Sequence, residues 1–178
     1  MNTWKQIRAI LLLPGMVLVV IPATILYTSW RGWPPFPWNV VLPVCGSACI
    51  LLGLTLMAWT NRLFATVGHG TLAPWNPPQT LVVRGVYRHV RNPMITGVCC
   101  ILLGESVFFG SLPLLGLFGF VVAVNMIYIP LVEEPGLAKR FGDDYLLYKR
   151  NVPRWIPRLT AWEGLSGPVE FKKEGDSP

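Results

Sequence analysis

Four long apolar runs constrain this chain more than any other feature of its sequence. They cover about residues 7–28, 40–60, 94–111 and 112–132. The only charged residues inside them are Arg8 and Glu105. Each run is close to the roughly 20 residues that an α-helix needs to cross the hydrocarbon core of a bilayer. The sequence therefore predicts an all-α, multi-pass integral membrane protein with about four transmembrane helices, and the overall 52% of hydrophobic residues agrees.

The first run has two interpretations, because Lys5 and Arg8 at its start are also typical of a secretory signal peptide. Its apolar part is longer than the usual core of a signal peptide. No small-x-small cleavage site precedes Trp30. These observations favour a retained transmembrane helix.

The placement of basic residues predicts how the chain is oriented in the membrane. With four helices, both termini and the loop 61–92 lie on one side, together with every Lys and Arg except Arg31. Positive residues accumulate on the cytoplasmic side of membrane proteins, so we expect the termini and this loop in the cytoplasm. The net charge of +6 then reflects topology and contact with anionic membrane lipids, not nucleic-acid binding.

The segment after the fourth run has a helical pattern of its own. Its apolar residues recur at helical spacing: Leu137, Phe141, Tyr145 and Tyr148. This predicts an amphipathic helix over about residues 136–150, either lying on the membrane surface or covering a site. We expect one domain over residues 1–160, followed by a polar and flexible tail at 161–178.

The four cysteines lie inside apolar runs, at Cys45, Cys49, Cys99 and Cys100. Their spacing matches no common metal motif, so we predict no metal site. Cys45, Cys49 and Gly53 follow one another every four residues. We interpret these small residues as places where membrane helices approach closely.

The pair Asn92-Pro93 predicts the start of the third helix, because Asn is a good N-cap and Pro is favoured at the first helical position. The unpaired amides of that first turn, at Met94 and Ile95, carry the positive end of the helix dipole. With Arg88 and Arg91 nearby, this helix start could bind an anion. It could equally be a simple cap whose arginines contact lipid phosphates.

Three glutamates complete the candidate site. Glu133 and Glu134 end the fourth run at the same membrane level as Asn92, and the short connection "GSLP" makes the last two helices neighbours. A carboxylate facing an anion-binding helix end suits a zwitterion such as the amino-acid portion of S-adenosylmethionine, although solvated surface glutamates would look the same. Glu105 lies in mid-span, where a carboxylate is costly and suggests function or an interhelical hydrogen bond.

Two blocks of the sequence resemble a known family. They are "TLVVRGVYRHVRNPMITG", which starts at Thr80, and "EEPGLAKRFGDDYLLYKRNVPRWIP", which starts at Glu133. Both resemble the isoprenylcysteine carboxyl methyltransferase family, which is related to the membrane phospholipid methyltransferases. The resemblance covers residues 79–157 and implies an integral membrane methyltransferase that uses S-adenosylmethionine. It also implies that a lipophilic acceptor enters from the bilayer, and that the loop and the amphipathic helix complete the cofactor site.

Carried over by position, the resemblance implies a set of cofactor contacts: Gln79, Thr80, Leu81, Val82, Tyr87, Asn92, Pro93, Met94, Ile95 and Glu133. The candidate catalytic residues are Glu133 and Arg91. The candidate substrate-side residues are Glu105, Asn125 and Ile129.

The sequence departs from the family pattern at three of these positions. Family members often carry His where Asn92 stands and Tyr where Ile95 stands, and the eukaryotic members carry a substrate-facing Arg where Ile129 stands. The leading hypothesis is methyl transfer to a lipophilic acceptor of the carboxylate or thiol type. The alternatives are N-methylation of a phospholipid ethanolamine group, and a non-catalytic membrane scaffold that keeps the fold.

Overall fold

The chain is described from a computed structural model, which places residues 15–30, 32–67 and 80–164 and the backbone of residues 169–170. The predictions for Gln79, Arg31 and the start of the first run fall outside these residues. The chain divides into two units. The first comprises Met1–Ala58 and Met94–Asn125, and the second comprises Trp59–Pro93 and Met126–Pro178.

Helices make up most of the described chain. A π-helical turn, Met16–Val20, leads into α1, Ile21–Ser29. The helices α2, α3 and α4 cover Trp38–Thr66, Pro93–Phe108 and Leu112–Tyr128. A second π-helical turn, Ile129–Glu133, leads into α5, Glu134–Asn151. A 3-10 turn at Gly85–Arg88 precedes α3, which begins at Pro93 as the Asn-Pro pair predicts.

Two helices are long and apolar enough to cross a membrane. They are α2, with 29 residues, and the helical stretch Leu112–Asn151, with 40 residues, which comprises α4, the second π-helical turn and α5. The apolar helices Met16–Ser29 and Pro93–Phe108 are shorter. The structure therefore establishes a mostly helical chain with two candidate spans, and the total of four stays a prediction.

Glycines allow α2 and α3 to pack closely inside the first unit. A Cβ atom added to Gly53 would lie 2.5 Å from the carbonyl oxygen of Gly97. One added to Gly104 would lie 2.8 Å from the carbonyl oxygen of Gly46. These four glycines repeat at intervals of seven residues on each helix, in antiparallel register. Of the predicted small-residue positions, Gly53 lies in this contact. By contrast, a Cβ atom added to Gly119 in α4 would meet no atom of a described neighbour within 4 Å.

A short turn connects α3 and α4 within the first unit. Gly110 adopts φ +58°, a left-handed conformation that side chains disfavour. The amide of Ser111 donates to the carbonyl of Ser106 at 2.9 Å, and the amide of Gly110 donates to Val107 at 3.0 Å. This is the Schellman pattern that satisfies the last carbonyls of a helix. The turn confirms that the "GSLP" segment forms a tight connection.

The sequence interpretation assumed that the helix of the fourth apolar run ends at Glu133 and Glu134. The structure shows that the helical stretch does not end there. It continues through Pro135 into α5, because proline is tolerated in the first turn that follows the π-helical segment. Gly142 then interrupts α5 with non-helical angles, φ 57° and ψ −136°. The predicted amphipathic helix is therefore two helical pieces joined at a kink.

A two-stranded ladder adds a small β component to a fold predicted as all-α. Strand β1, Thr80–Leu81, pairs in antiparallel fashion with β2, Val169–Glu170. The flexibility expected for the tail at 161–178 stays a prediction. Backbone pairing needs no particular side chain, so the sequence pattern does not show it.

Close helix packing makes a testable prediction for Gly53. Its replacement in Gly53→Ala forces a methyl group against the backbone of α3, so we expect a loss of about 1–3 kcal/mol in the free energy of unfolding. The measurement is unfolding of the purified protein in detergent. Gly119→Ala is the matched control, because its new methyl group meets open space and alanine favours a helix. Equal stability of the two variants would contradict the packing.

Candidate functional site

A buried carboxylate at the start of α5 organises the second unit. Glu134 is only 3% exposed and receives three cations. Arg91 Nη1 and Arg154 Nε lie 2.9 Å and 2.7 Å from its Oε1, and Lys149 Nζ lies 2.7 Å from its Oε2. We call these four residues the Glu134 cluster. It joins α5, the residue before Asn92 and the segment that follows α5.

Arg91 is held on several sides at once. Its Nε donates to the carbonyl of Val152 at 2.9 Å, and its backbone amide donates to the carbonyl of Pro153 at 2.9 Å. Its Nη1 also lies 3.4 Å from the hydroxyl of Tyr145. The guanidinium is thus engaged by Glu134 and the backbone. These contacts are those of a group that positions the chain.

The segment 152–162 runs along residues 88–91 in the same unit. The amide of Arg158 donates to the carbonyl of His89 at 2.9 Å, and Nδ1 of His89 lies 2.8 Å from the carbonyl of Arg158. Further along, Arg88 Nε donates to the carbonyl of Trp162 at 2.7 Å, and the amide of Trp162 donates back to Arg88. This backbone pairing fixes the loop that leads into α3.

Aromatic side chains of α5 form the core beneath that loop. Phe141, Tyr145 and Tyr148 are buried together with Leu81 and Val152. The hydroxyl of Tyr148 donates to the backbone carbonyl of Tyr87 at 2.7 Å. The apolar face predicted for this segment therefore packs on its own unit.

Charge and burial set the protonation of the site. Burial raises the pKa of Glu134, but hydrogen bonds from Arg154 and Lys149 and the charge of Arg91 outweigh it and lower the pKa to about 2. Burial, then the charge of Glu134, raises the pKa of Tyr145 to about 12. Burial also raises the pKa of Tyr87 well above its usual value. Near neutral pH the carboxyl group of Glu134 is therefore ionised, and the hydroxyl groups of Tyr145 and Tyr87 are protonated.

Glu133 behaves differently from its neighbour. It ends the π-helical turn, is exposed, and makes no hydrogen bond or ion pair with any residue that the structure describes. Its charge is a smaller contribution, after burial, to the raised pKa of Tyr87, another predicted cofactor residue. π-helical turns are often found at functional sites. Of the two adjacent glutamates, Glu134 is therefore held in ion pairs within the protein, whereas the carboxylate of Glu133 is exposed.

The remaining predicted cofactor residues divide between the two units. Those of the second unit are Thr80, Leu81, Val82, Tyr87, Asn92, Pro93 and Glu133. Met94 and Ile95, in the first turn of α3, belong to the first unit. The ring of Tyr87 packs edge-on against Phe64, with centroids 5.5 Å apart, so its ring is largely enclosed by protein.

The candidate substrate-side residues divide between the two units, with Glu105 and Asn125 in the first and Ile129 in the second. Glu105 lies twelve residues into α3, or about 18 Å along the helix at 1.5 Å per residue. Asn125 donates its amide to the carbonyl of Val121, one turn earlier in its own helix, at 2.8 Å. Ile129 is fully buried in the second unit. None of the three shows a contact that assigns it to an acceptor.

Sequence reasoning missed two residues of the Glu134 cluster. Lys149 and Arg154 were counted only as cytoplasmic charge, although both reach the buried glutamate. A glutamate directly after an apolar run, followed by scattered basic residues, is the sequence signal that could have indicated the cluster. Among the described residues, no group of three or more His, Cys, Asp or Glu side chains could hold a metal ion.

Comparison with known proteins identifies the family. A model described as phospholipid methyltransferase matches residues 41–144, which is more than half of the chain. The chain belongs to the phospholipid methyltransferase family. This match includes the loop before α3, the first turn of α3 and both glutamates. The family assignment and the apolar helices identify a membrane protein of a methyltransferase family.

Two individual relatives match parts of this phospholipid methyltransferase family member. The chain is 33% identical over 84 residues to the protein-S-isoprenylcysteine O-methyltransferase of Schizosaccharomyces pombe, a match that covers 47% of this chain and 36% of that protein. It is 38% identical over 64 residues to an uncharacterized protein of Haemophilus influenzae, covering 35% of this chain and 100% of that protein. No solved structure matches the chain. The resemblance to the isoprenylcysteine carboxyl methyltransferases is thereby confirmed.

The Glu134 cluster predicts a specific dependence of stability on pH. Since the folded pKa of Glu134 is lowered to about 2, its ionised form stabilises the protein by about 3 kcal/mol above the ordinary pKa of 4.5. We expect Glu134→Gln to lose this amount at neutral pH. The difference from the wild-type protein should shrink as the pH falls from 4.5 towards 2. Unfolding curves in detergent at several pH values measure it.

Glu133→Gln is the matched control for this experiment, because the adjacent exposed carboxylate holds no ion pair within the described residues. We expect its unfolding free energy to stay within about 0.5 kcal/mol of the wild type. A loss in Glu133→Gln as large as that in Glu134→Gln would show that the cluster does not carry the stability of this unit.

Proposed function

We propose that this protein transfers a methyl group from S-adenosylmethionine to a lipophilic acceptor at the cytoplasmic face of a membrane. The observation that carries the proposal is the 2.9 Å contact between Arg91 and Glu134, which links the residue before Asn92 to the glutamate pair. This contact supports a site assembled from the loop before α3, Tyr87 and Glu133. In the proposed topology the chain crosses the membrane four times, with both termini in the cytoplasm.

The residues of the second unit suit the polar parts of the proposed cofactor. Glu133, whose carboxylate has no partner among the described residues, could accept hydrogen bonds from ribose hydroxyls or from an ammonium group. The start of α3 at Pro93 supplies the positive end of a helix dipole, which suits a carboxylate. The short strand β1, which contains Thr80 and Leu81, adds backbone groups beside the buried aromatic core. These groups would bind the two charges of a zwitterion separately.

When bound, S-adenosylmethionine supplies an activated methyl group on a positively charged sulfur. The chain itself would hold the cofactor and the acceptor, orient them towards each other and exclude water from the site. One side of the proposed site would be rigid and would largely exclude water. It is formed by the paired segments 88–91 and 152–162 and by the buried tyrosines. In a dry site, loss of charge at the reacting centre is favoured. Orientation of two bound partners can lower a barrier by about 7–11 kcal/mol.

The acceptor class separates the two candidate reactions. A carboxylate or thiolate acceptor needs no general base, and the match to the S. pombe methyltransferase supports this class. An ethanolamine amine would need a general base, a role that the carboxylate of Glu133 could fill. The description of the matching family as phospholipid methyltransferase supports this second reaction. In either case Ile129 provides no charge to pair with the acceptor.

Ligand binding tests the cofactor assignment. A ligand that binds the native state selectively raises the unfolding temperature, so millimolar S-adenosylhomocysteine should stabilise the purified protein in detergent. Glu133→Ala should abolish this shift, whereas Cys99→Ala in α3 should keep it. The same response in both variants would show that the site is misplaced. No shift in the wild-type protein would favour a scaffold that keeps the fold without the activity.

Product identification tests the reaction itself. We expect incubation with methyl-labelled S-adenosylmethionine and a membrane lipid extract to transfer label into an organic-soluble product. A base-labile methyl ester would identify a carboxylate acceptor, and a methylated ethanolamine head group would identify the phospholipid reaction. An extract that stays unlabelled although the cofactor binds would argue against a lipid acceptor.

A further inference from the structure

Two aliphatic side chains project from the segment 152–162 into the surroundings. Ile156 is 80% exposed and Leu159 is 100% exposed. A single exposed aliphatic residue is ordinary, but two within four residues, in a segment otherwise fixed by hydrogen bonds, call for a partner. Neither residue contributes to the buried core of the second unit.

The backbone around these residues is held in place. Between them, Arg158 pairs with the backbone of His89, and its Nη1 donates to the carbonyl of Asn151 at 2.6 Å. The guanidinium is therefore turned back towards the end of α5, which leaves the aliphatic side chains as the outermost groups of the segment.

The last turns of α5 add further apolar surface and positive charge to this region. Leu146 and Leu147 are exposed on the helix. The amide of Asn151 donates to the carbonyl of Leu147 at 2.8 Å, so the contact from Arg158 to Asn151 ties the segment to this turn. Lys149 and Arg150, in the same turn, are both exposed.

We propose that Leu146, Leu147, Ile156 and Leu159 form an apolar rim that inserts into the boundary between lipid head groups and acyl chains. Aliphatic side chains flanked by exposed cations are typical of segments that lie in a membrane interface. The positive charge of Arg150 complements anionic lipids of the cytoplasmic leaflet. The partner is thus the bilayer that holds the apolar helices of the same chain. This attachment does not depend on methyl transfer.

Spin labelling tests the apolar rim. The four native cysteines are first replaced in the full-length protein. A single cysteine is then introduced by Leu159→Cys in one variant and by Ile156→Cys in another, and each carries the spin label. The protein is reconstituted in vesicles of phosphatidylcholine and phosphatidylglycerol. Collision rates with oxygen, which concentrates in lipid, and with a water-soluble nickel complex are compared. Glu163→Cys is the control, because Glu163 is 82% exposed and polar.

We expect the ratio of oxygen to nickel collisions to be several-fold higher at residues 156 and 159 than at residue 163. Since both rim side chains are exposed, the labels should leave the fold intact, and an unchanged unfolding temperature checks this. Equal ratios at the three positions would overturn the proposal. Strong spin–spin broadening that persists in detergent would also overturn it, because a second copy of the chain would then cover the rim.

Discussion

A carboxylate withdrawn from water destabilises a protein unless cations and hydrogen bonds replace its hydration. Glu134 meets this requirement with three cations drawn from distant parts of the sequence. Satisfying one charge therefore fixes the loop before α3, the end of α5 and the segment after it. The paired backbones of residues 88–91 and 152–162 and the tyrosine core depend on this arrangement. The three cations bind Glu134 and not the adjacent Glu133, whose carboxylate makes no ion pair with any described residue.

Much of the fold follows from local rules in the sequence. The apolar runs predict the helices, the Asn-Pro pair predicts the first residue of α3, and Gly110 ends the same helix. What local rules do not show is the pairing between distant elements. The glycine contact between α2 and α3 can be predicted only when the relative register of the two helices is known. Small residues on one helix, such as Cys45, Cys49 and Gly53, do not define that register. The ladder between β1 and β2 likewise depends on backbone alone.

The sequence placed Glu133, Glu134 and Arg91 at one membrane level, and the structure brings Arg91 and Glu134 into contact. For Arg91 the sequence left two interpretations, an anion site and an arginine that contacts lipid phosphates beside a simple helix cap. The structure engages Arg91 with Glu134, Val152 and Pro153. The pattern could not show these partners, because they lie 43 to 62 residues away along the chain. The cofactor and catalytic roles of these residues stay predictions.

The central claim, that the glutamate pair and the start of α3 border a cofactor site, is tested most directly by photo-crosslinking. Ultraviolet irradiation of the protein with radiolabelled S-adenosylmethionine, followed by peptide mapping, shows where the cofactor lies. The account predicts label in peptides covering residues 80–95 or 133–148, displaced by excess S-adenosylhomocysteine. Displaceable label confined to α2, within residues 38–58, would contradict it.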